Sequence, residues 1–342
     1  GRWDDVLEFV ASIVVRKMVN VQLFNDSRSD HPSLLAKWMP SENASSITTI
    51  ALANKWINAL DMTPREYRKL LTSIRSRNEL VETFMSKGEW DKINYAHVPS
   101  RAAMLLRKAF SKRDTERYVA YLADVKAGKT KINAATVYPY ELVQGYAAKH
   151  MEYHTDIPKL TEVDDTIEAL WNALPNYADT NENAIGVVDV SSSMYLSPNG
   201  NKIMPIFVSV ALGIYLAERN NGTFKNFFMT FNKSPQMIKL RNGTLKSKVD
   251  QVFNAGVGYD TNIQAVFDTL LKTAIQNNVP ENDMPTKIFI FSDMEFNHIA
   301  IGSKGTNFDA IKRKYAHYGY KMPVLVFWNI DSKQMQTPVT QD

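Results

Sequence analysis

Asn183-Ala-Ile-Gly-Val-Val-Asp189-Val-Ser191-Ser192-Ser193-Met194 is an apolar run that ends in an aspartate and three hydroxyls. Ala184 to Val188 is short, rich in β-branched residues and uncharged, the pattern of a strand buried on both faces. The polar cluster then falls at the carboxyl end of that strand, where open α/β sheets place ligands. Asp189, Ser191 and Ser193 alternate along an extended segment that turns into a loop, so one carboxylate and two hydroxyls can converge on a point. All-oxygen sets of this kind suit a hard divalent cation, Mg²⁺ first, with positions left for water or a partner.

Two later segments complete the set. Gly256-Val-Gly-Tyr-Asp260-Thr261-Asn262 is a glycine-bearing loop before the helical pattern of Ile263 to Ala274, and it offers Thr261 as a further hydroxyl. Lys287-Ile-Phe-Ile-Phe-Ser292-Asp293 is a second buried strand ending in an aspartate. The order Asp-x-Ser-x-Ser, then Thr, then Asp resembles the metal-ion-dependent adhesion site of von Willebrand factor A domains. That resemblance implies a ligand set of Asp189, Ser191, Ser193, Thr261 and Asp293 around Mg²⁺, or Mn²⁺ or Ca²⁺ in its place. The alternative is that the hydroxyls cap the following helix and the aspartates end their strands without a shared role.

The chain has 342 residues, 44% hydrophobic and 22% charged, which is globular material long enough for two cores. A net charge of +4 is too mild to name a partner, so partners are sought in local patches. There is no cysteine, which excludes disulfides, thiol chemistry and cysteine-ligated zinc and fits a reducing, cytoplasmic setting. The longest uncharged run, Ile203 to Ala217, is too short to span a bilayer and carries Pro205 and Gly213. It reads as a helix buried against the sheet, and no membrane partner is expected. Both ends read as cut from a longer chain.

The expected fold class is an all-helical region, with a helical repeat as one form of it, followed by a Rossmann-like A-type domain with a mostly parallel sheet. The boundary is placed between 180 and 181. Before it, apolar spacings such as Leu7, Val10, Ile13 and Val14, or Tyr118, Tyr121, Leu122 and Val125, are helical. Thr63 followed by Pro64 and Glu66 marks a capped helix start. After it, strands are expected at Ala184 to Val188, Phe224 to Phe231, Gln236 to Leu240, Lys287 to Phe291 and Val324 to Trp328. Helices are expected at Lys202 to Glu218, Leu245 to Asn254, Ile263 to Gln276 and Phe308 to Tyr318. Phe231-Asn-Lys-Ser-Pro235 is a tight turn, which makes the second and third strands an antiparallel edge hairpin.

Charge is uneven. Residues 101 to 131 hold nine Lys or Arg against three acids, net +6, and residues 152 to 182 hold eight acids against Lys159, net −7. Arg107, Lys108, Lys112, Arg113 and Arg117, beside Tyr118, Tyr121 and Tyr138, form a candidate RNA-binding stripe by phosphate contact and stacking. The competing reading is a solvated helix face whose charges answer the acidic segment. A second basic patch runs from Lys225 to Lys248 with no acid between them; it is either a binding surface or a lysine-guarded edge strand. Gly128-Lys129-Thr130 imitates a phosphate loop, but the first glycine of that motif would fall at Ala123, so Gly128 reads as a helix cap. His150 and His154 share a helical face without the adjacent glutamate of a zinc-protease motif.

Lys112-Arg113-Asp-Thr-Glu-Arg-Tyr118, Val208-Ser-Val-Ala-Leu-Gly213, Tyr259-Asp-Thr-Asn262, Phe291-Ser-Asp-Met-Glu-Phe296, Arg313-Lys-Tyr315 and Val326-Phe-Trp-Asn329 resemble the domain of unknown function 2828 family, from roughly residue 90 onward. That family joins a helical region to an A-type domain. It usually has glycine at the place of Ser192, which leaves the alternating ligands intact, and an A-type domain is expected to carry a further strand and helix after Asp342. In layout the chain is also distantly similar to the Ro autoantigen, whose helical ring binds small noncoding and misfolded RNAs.

The expected function is therefore a non-enzymatic, metal-dependent interaction protein. Its partner is a protein offering a carboxylate to the metal, with noncoding RNA as a further partner. The alternative is a Mg²⁺-dependent phosphatase or ATPase using Asp189 as a phosphoryl-accepting nucleophile. Against that alternative, the usual second aspartate two residues later is Ser191, which leaves no evident general acid.

Overall fold

A strand buried along its whole length, Ala184–Val188, sets the C-terminal architecture in the computed structural model. The structure describes residues 3–78, 80–147, 159–177, 183–195, 203–255, 262–293 and 306–331. The chain divides into two compact units, Gly1–Asn94 and Tyr95–Asp342.

The first unit is helical: α1 Trp3–Leu7, α2 Ile13–Arg28, α3 Leu35–Trp38, α4 Ile47–Ala59, α5 Pro64–Arg77 and α6 Val81–Lys87. Local chemistry starts these helices. Ser12 and Ser46 accept from the third backbone N–H of α2 and α4, and Thr63 and Glu66 form a reciprocal capping box with Pro64 in the first turn. Val19, Leu23, Trp56, Ile57, Tyr67, Leu71 and Ile74 make the core. Its polar atoms are satisfied: Trp56 Nε1 donates to Leu7 O at 2.8 Å and Tyr67 Oη donates to Pro40 O at 2.8 Å. Arg75 donates to the carbonyls of Ala36 and Met39 at the end of α3, groups that a helix terminus leaves without partners.

The second unit begins with α7 Ser100–Arg113, α8 Thr115–Lys126, α9 Pro139–Gln144 and α10 Asp165–Asn172. It continues as β1 Ala184–Val188, α11 Pro205–Arg219, β2 Phe227–Thr230, β3 Met237–Lys239, α12 Leu245–Asn254, α13 Ile263–Gln276, β4 Lys287–Ser292, α14 Thr306–His317 and β5 Val324–Asn329. The sheet order is β3-β2-β1-β4-β5, parallel throughout except for the β2–β3 hairpin. This is the all-helical region plus mostly parallel sheet that the sequence implied. β2 starts three residues later than expected because Asn226 is left-handed, φ 63°, which interrupts the extended run. α11 starts at Pro205 instead of Lys202; proline's fixed φ suits the first helical position.

Alternation along β1 divides two cores. Val188 packs with α11 and α12 on one side, while Ile185 and Val187 pack with α13 and α14 on the other. α11, the uncharged run of the sequence, lies close to the sheet: a Cβ at Gly213 would overlap Val188 Cγ2. Leu142, Val143 and Tyr146 from the α9 segment and Ile167, Leu170 and Trp171 from α10 join the α11 core. The compact units divide at 94/95; the composition boundary at 180/181 marks a different feature, the change from helical to strand-bearing sequence. α9 and α10 bury their apolar faces against α11 and so belong to the unit that holds the sheet. Glu168 of α10 reinforces this by accepting from Tyr146 Oη at 2.6 Å and from the Leu245 and Lys246 N–H groups that open α12.

Among the described residues, no helix is long and apolar enough to cross a membrane.

Candidate functional site

The register Val188↔Phe291 brings the ends of β1 and β4 side by side, and the chemistry gathers there. Asp189 follows β1 and Asp293 follows β4, and both are buried, at 1% and 2% exposure. The Asp189 N–H donates to Phe291 O at 3.2 Å and to Ser209 Oγ at 3.1 Å, while Ser209 Oγ donates to Phe291 O at 2.9 Å. Ser209, on α11, thus ties the helix to the two strands at the point where the aspartate emerges.

Both oxygens of Asp189 are engaged. Oδ1 accepts the Ser191 N–H at 2.9 Å, the local turn that aspartate favours, and Oδ2 accepts from Ser292 Oγ at 2.6 Å. Ser192–Tyr195 then winds into a 3₁₀ turn that brings Ser191 Oγ and Ser193 Oγ within 3.1 Å of each other. Burial pushes the Asp189 carboxyl up to about 6; the hydrogen bonds from Ser292 and Ser191 oppose the shift, and the Asp293 charge adds to it.

Of the five metal ligands expected from sequence, Asp189, Ser191, Ser193 and Asp293 lie at these two neighbouring strand ends. Thr261 falls outside the described residues; Asn262 beside it caps α13 by accepting from the Ala265 N–H at 3.0 Å. The donors are hard oxygens only, and among the described residues no group of three His, Cys, Asp or Glu is gathered closely enough for a metal. A cation here would depend on two carboxylates plus hydroxyls, the composition that suits Mg²⁺, Mn²⁺ or Ca²⁺.

Sequence reasoning missed Ser209, Ser292 and Asp331. Ser209 had a signal: it is a hydroxyl inside the apolar run of α11, and a buried hydroxyl needs partners. Asp331 is a third buried acid at a strand end, just after β5. Its signal was the aspartate shortly after the apolar run Val324 to Trp328.

The basic stripe resolves into different roles. Arg107 is 12% exposed and turned inward, with Nε 2.8 Å from Asp164 Oδ2 and Nη1 donating to Met104 O. Arg117 pairs with Asp114 at 2.8 Å. Lys108, Lys112 and Arg113 are exposed. Tyr118, expected as a stacking ring, is instead buried and bonded through Oη to Thr166 Oγ1 at 2.9 Å. Tyr138 is the exposed ring. In the second patch, Lys248 is committed to Glu218 at 2.6 Å, and Lys239 lies on the edge strand β3 with its Nζ over the Phe227 ring. Gly128 follows the α8 cap with φ 72°, as expected of a helix C-terminus. His150 and His154 lie outside the described residues.

The family model described as a domain of unknown function, DUF2828, matches residues 3–177, and one described as a domain of unknown function, DUF7788, matches residues 183–342. The first match starts near the N-terminus and stops before β1, so the resemblance expected from residue 90 to the end is divided between two families. An uncharacterized protein of Acanthamoeba polyphaga mimivirus, L728, is 33% identical over 316 residues, covering 87% of this chain and 52% of that protein. The chain thus spans about half the length of that relative. The crystal structure of the Deinococcus radiodurans RO (RSR) protein covers 97% of this chain and 73% of its own at 13% identity and a TM-score of 0.41, a likeness too low to carry a functional argument.

Proposed function

We propose a divalent-cation-dependent binding function for this chain, which belongs to the family described as domain of unknown function DUF2828. The observation that carries the proposal is the pairing of two buried carboxylates, Asp189 and Asp293, at adjacent strand ends beside the Ser191 and Ser193 hydroxyls. Two buried like charges are costly, and a hard cation between them removes that cost. Asp189, Ser191, Ser193 and Asp293, with Thr261 from the preceding loop, would hold Mg²⁺, or Mn²⁺ or Ca²⁺, some through water. When bound, the ion supplies an open coordination position for a partner's carboxylate oxygen, as in the metal-ion-dependent adhesion sites that the motif resembles.

Asp189 is a better ligand than nucleophile. Its oxygens are held by neutral donors, Ser191 N–H and Ser292 Oγ, and the second aspartate that would serve a phosphoryl-accepting one as general acid is Ser191 here. The partner in this reading is a protein surface presenting an acidic side chain.

Titration calorimetry with Mg²⁺ and Mn²⁺ on the wild type and on Asp189→Ala tests the assignment, with circular dichroism to verify the fold. Binding near one equivalent that is lost in the variant is the expected result. Metal affinity unchanged by the substitution overturns it. A phosphatase and ATPase screen in Mg²⁺ is the second arm, and turnover abolished by Asp189→Asn would replace the binding function with an enzymatic one.

A further inference from the structure

We propose that the solvent face of α7, with the exposed ring of Tyr138 at one end, is a contact surface for single-stranded nucleic acid. The surface is separate from the metal-site residues. α7 carries five Lys or Arg residues and no acid. At about 100° per residue, Arg101, Leu105, Lys108 and Lys112 fall within roughly 60° of one another, a stripe about 16 Å long. All four are exposed, Leu105 at 74%. Arg107 lies on a different flank and is spent on Asp164, so it is not part of this face.

The aromatic end is joined to the stripe by one carboxylate. Glu141 pairs with Arg101 at 3.2 Å through Oε1, and its Oε2 accepts the Tyr138 N–H at 2.9 Å. Tyr138 is 60% exposed and its ring is stacked on Tyr140 at 5.9 Å and 14°. A ring backed by a second ring is held flat toward solvent, and a base can stack on it without reorganising the site.

Lys108, Lys112 and Arg113 make no ion pair among the described residues. Cations about one helical turn apart match a chain of regularly repeated negative charge. An acidic protein segment would satisfy the lysines equally, but it has no use for an exposed, stacked tyrosine. The combination of cations with an aromatic platform is what single-stranded binding surfaces require.

Fluorescence anisotropy of a labelled oligouridylate with the full chain, in EDTA so that metal binding plays no part, tests the proposal. Wild-type affinity should fall steeply with salt. Lys108→Gln combined with Lys112→Gln should lower the log-log slope by about 1.4, two contacts at about 0.7 each. Tyr138→Ala should weaken binding by about 5- to 150-fold while Tyr138→Phe retains it. On the wild type, bound oligouridylate should protect Lys108 and Lys112 from acetylation, a readout that needs no variant. Binding no tighter than to a control protein of equal charge, an unchanged slope in the double variant, loss in Tyr138→Phe equal to that in Tyr138→Ala, or unprotected lysines overturns the proposal. So does polyglutamate competing as well as the oligouridylate, which would make this an acidic-protein surface.

Discussion

Ser292 Oγ donates a 2.6 Å hydrogen bond to Asp189 Oδ2 across the parallel pair β1 and β4. Both residues are buried, at 1% each, so the bond is short, charge-assisted and shielded from water. It holds the carboxylate against a second strand, while the Ser191 N–H fixes the other oxygen. The aspartate is therefore oriented from two directions by groups that carry no charge themselves.

Ser292→Ala should weaken Mg²⁺ or Mn²⁺ affinity by about 10- to 100-fold, the usual effect of losing a hydrogen bond that orients a ligand. Ser292→Thr, which keeps the hydroxyl, should recover most of it. Calorimetry on both variants checks this, and equal affinity in wild type and Ser292→Ala would show that the hydroxyl orients nothing.

Gly213→Ala should destabilise the second unit by about 1–3 kcal/mol, because the added methyl meets Val188 Cγ2 with no room to relax. The melting temperature should drop by roughly 2–12 °C. Gly128→Ala tests a different cause at an open position: nothing lies near its Cβ, but its φ of 72° disfavours a side chain. Its loss should be about 1 kcal/mol and local to the end of α8.

Arg107 and Lys108 are neighbours with opposite expected behaviour. Arg107→Gln breaks a largely buried ion pair with Asp164 and should cost about 1.5–3 kcal/mol of stability, read by denaturant titration, with little change in the salt slope of nucleic-acid binding. Lys108→Gln should leave stability within about 0.5 kcal/mol and lower that slope. The reverse pattern would mean that the two side chains have been assigned to the wrong faces.

Alkaline pH should unfold the chain through its tyrosines. Burial pushes Tyr118, Tyr121 and Tyr195 from 10.0 up to about 12, and Tyr67, Tyr146 and Tyr315 are raised further. With native values above the unfolded one, the unfolded chain ionises first. The contribution of these groups is thus fully present below about pH 10 and is lost as pH rises from 10 through 12. Phenolate absorbance for the buried rings should appear together with loss of helical circular dichroism. Complete phenolate formation near pH 10 with the helices intact would contradict it.

Much of the C-terminal half was legible in advance. β1, α12 and α13 occupy the expected spans because each combines a clear period with a clear boundary: Asp189 ends the strand, and Thr244 and Asn262 cap the starts of the two helices. The antiparallel β2–β3 hairpin followed from the tight turn at Phe231 to Pro235. The convergence of Asp189 and Asp293 could be anticipated because two apolar strands ending in aspartate become neighbours if the sheet is parallel and their register matches. Ser292 and Ser209 could not be assigned their roles, since each depends on which atom faces it from another element.

Local sequence by itself determined which stretches are helical, which are extended, where most elements begin and end to within about three residues, and that one end of a parallel sheet collects oxygen donors. These are short-range properties, set by periodicity, capping and the fixed φ of proline. Tertiary structure alone decided that α9 and α10 pack against α11 in the unit that holds the sheet, that Tyr118 is core while Tyr138 faces solvent, and that Arg107 turns in to Asp164 while Lys108 stays out. The reason is geometric. Consecutive residues on a helix point about 100° apart, so a run of charge or aromatics in the sequence spans several faces, and only the partner element fixes which of them is buried.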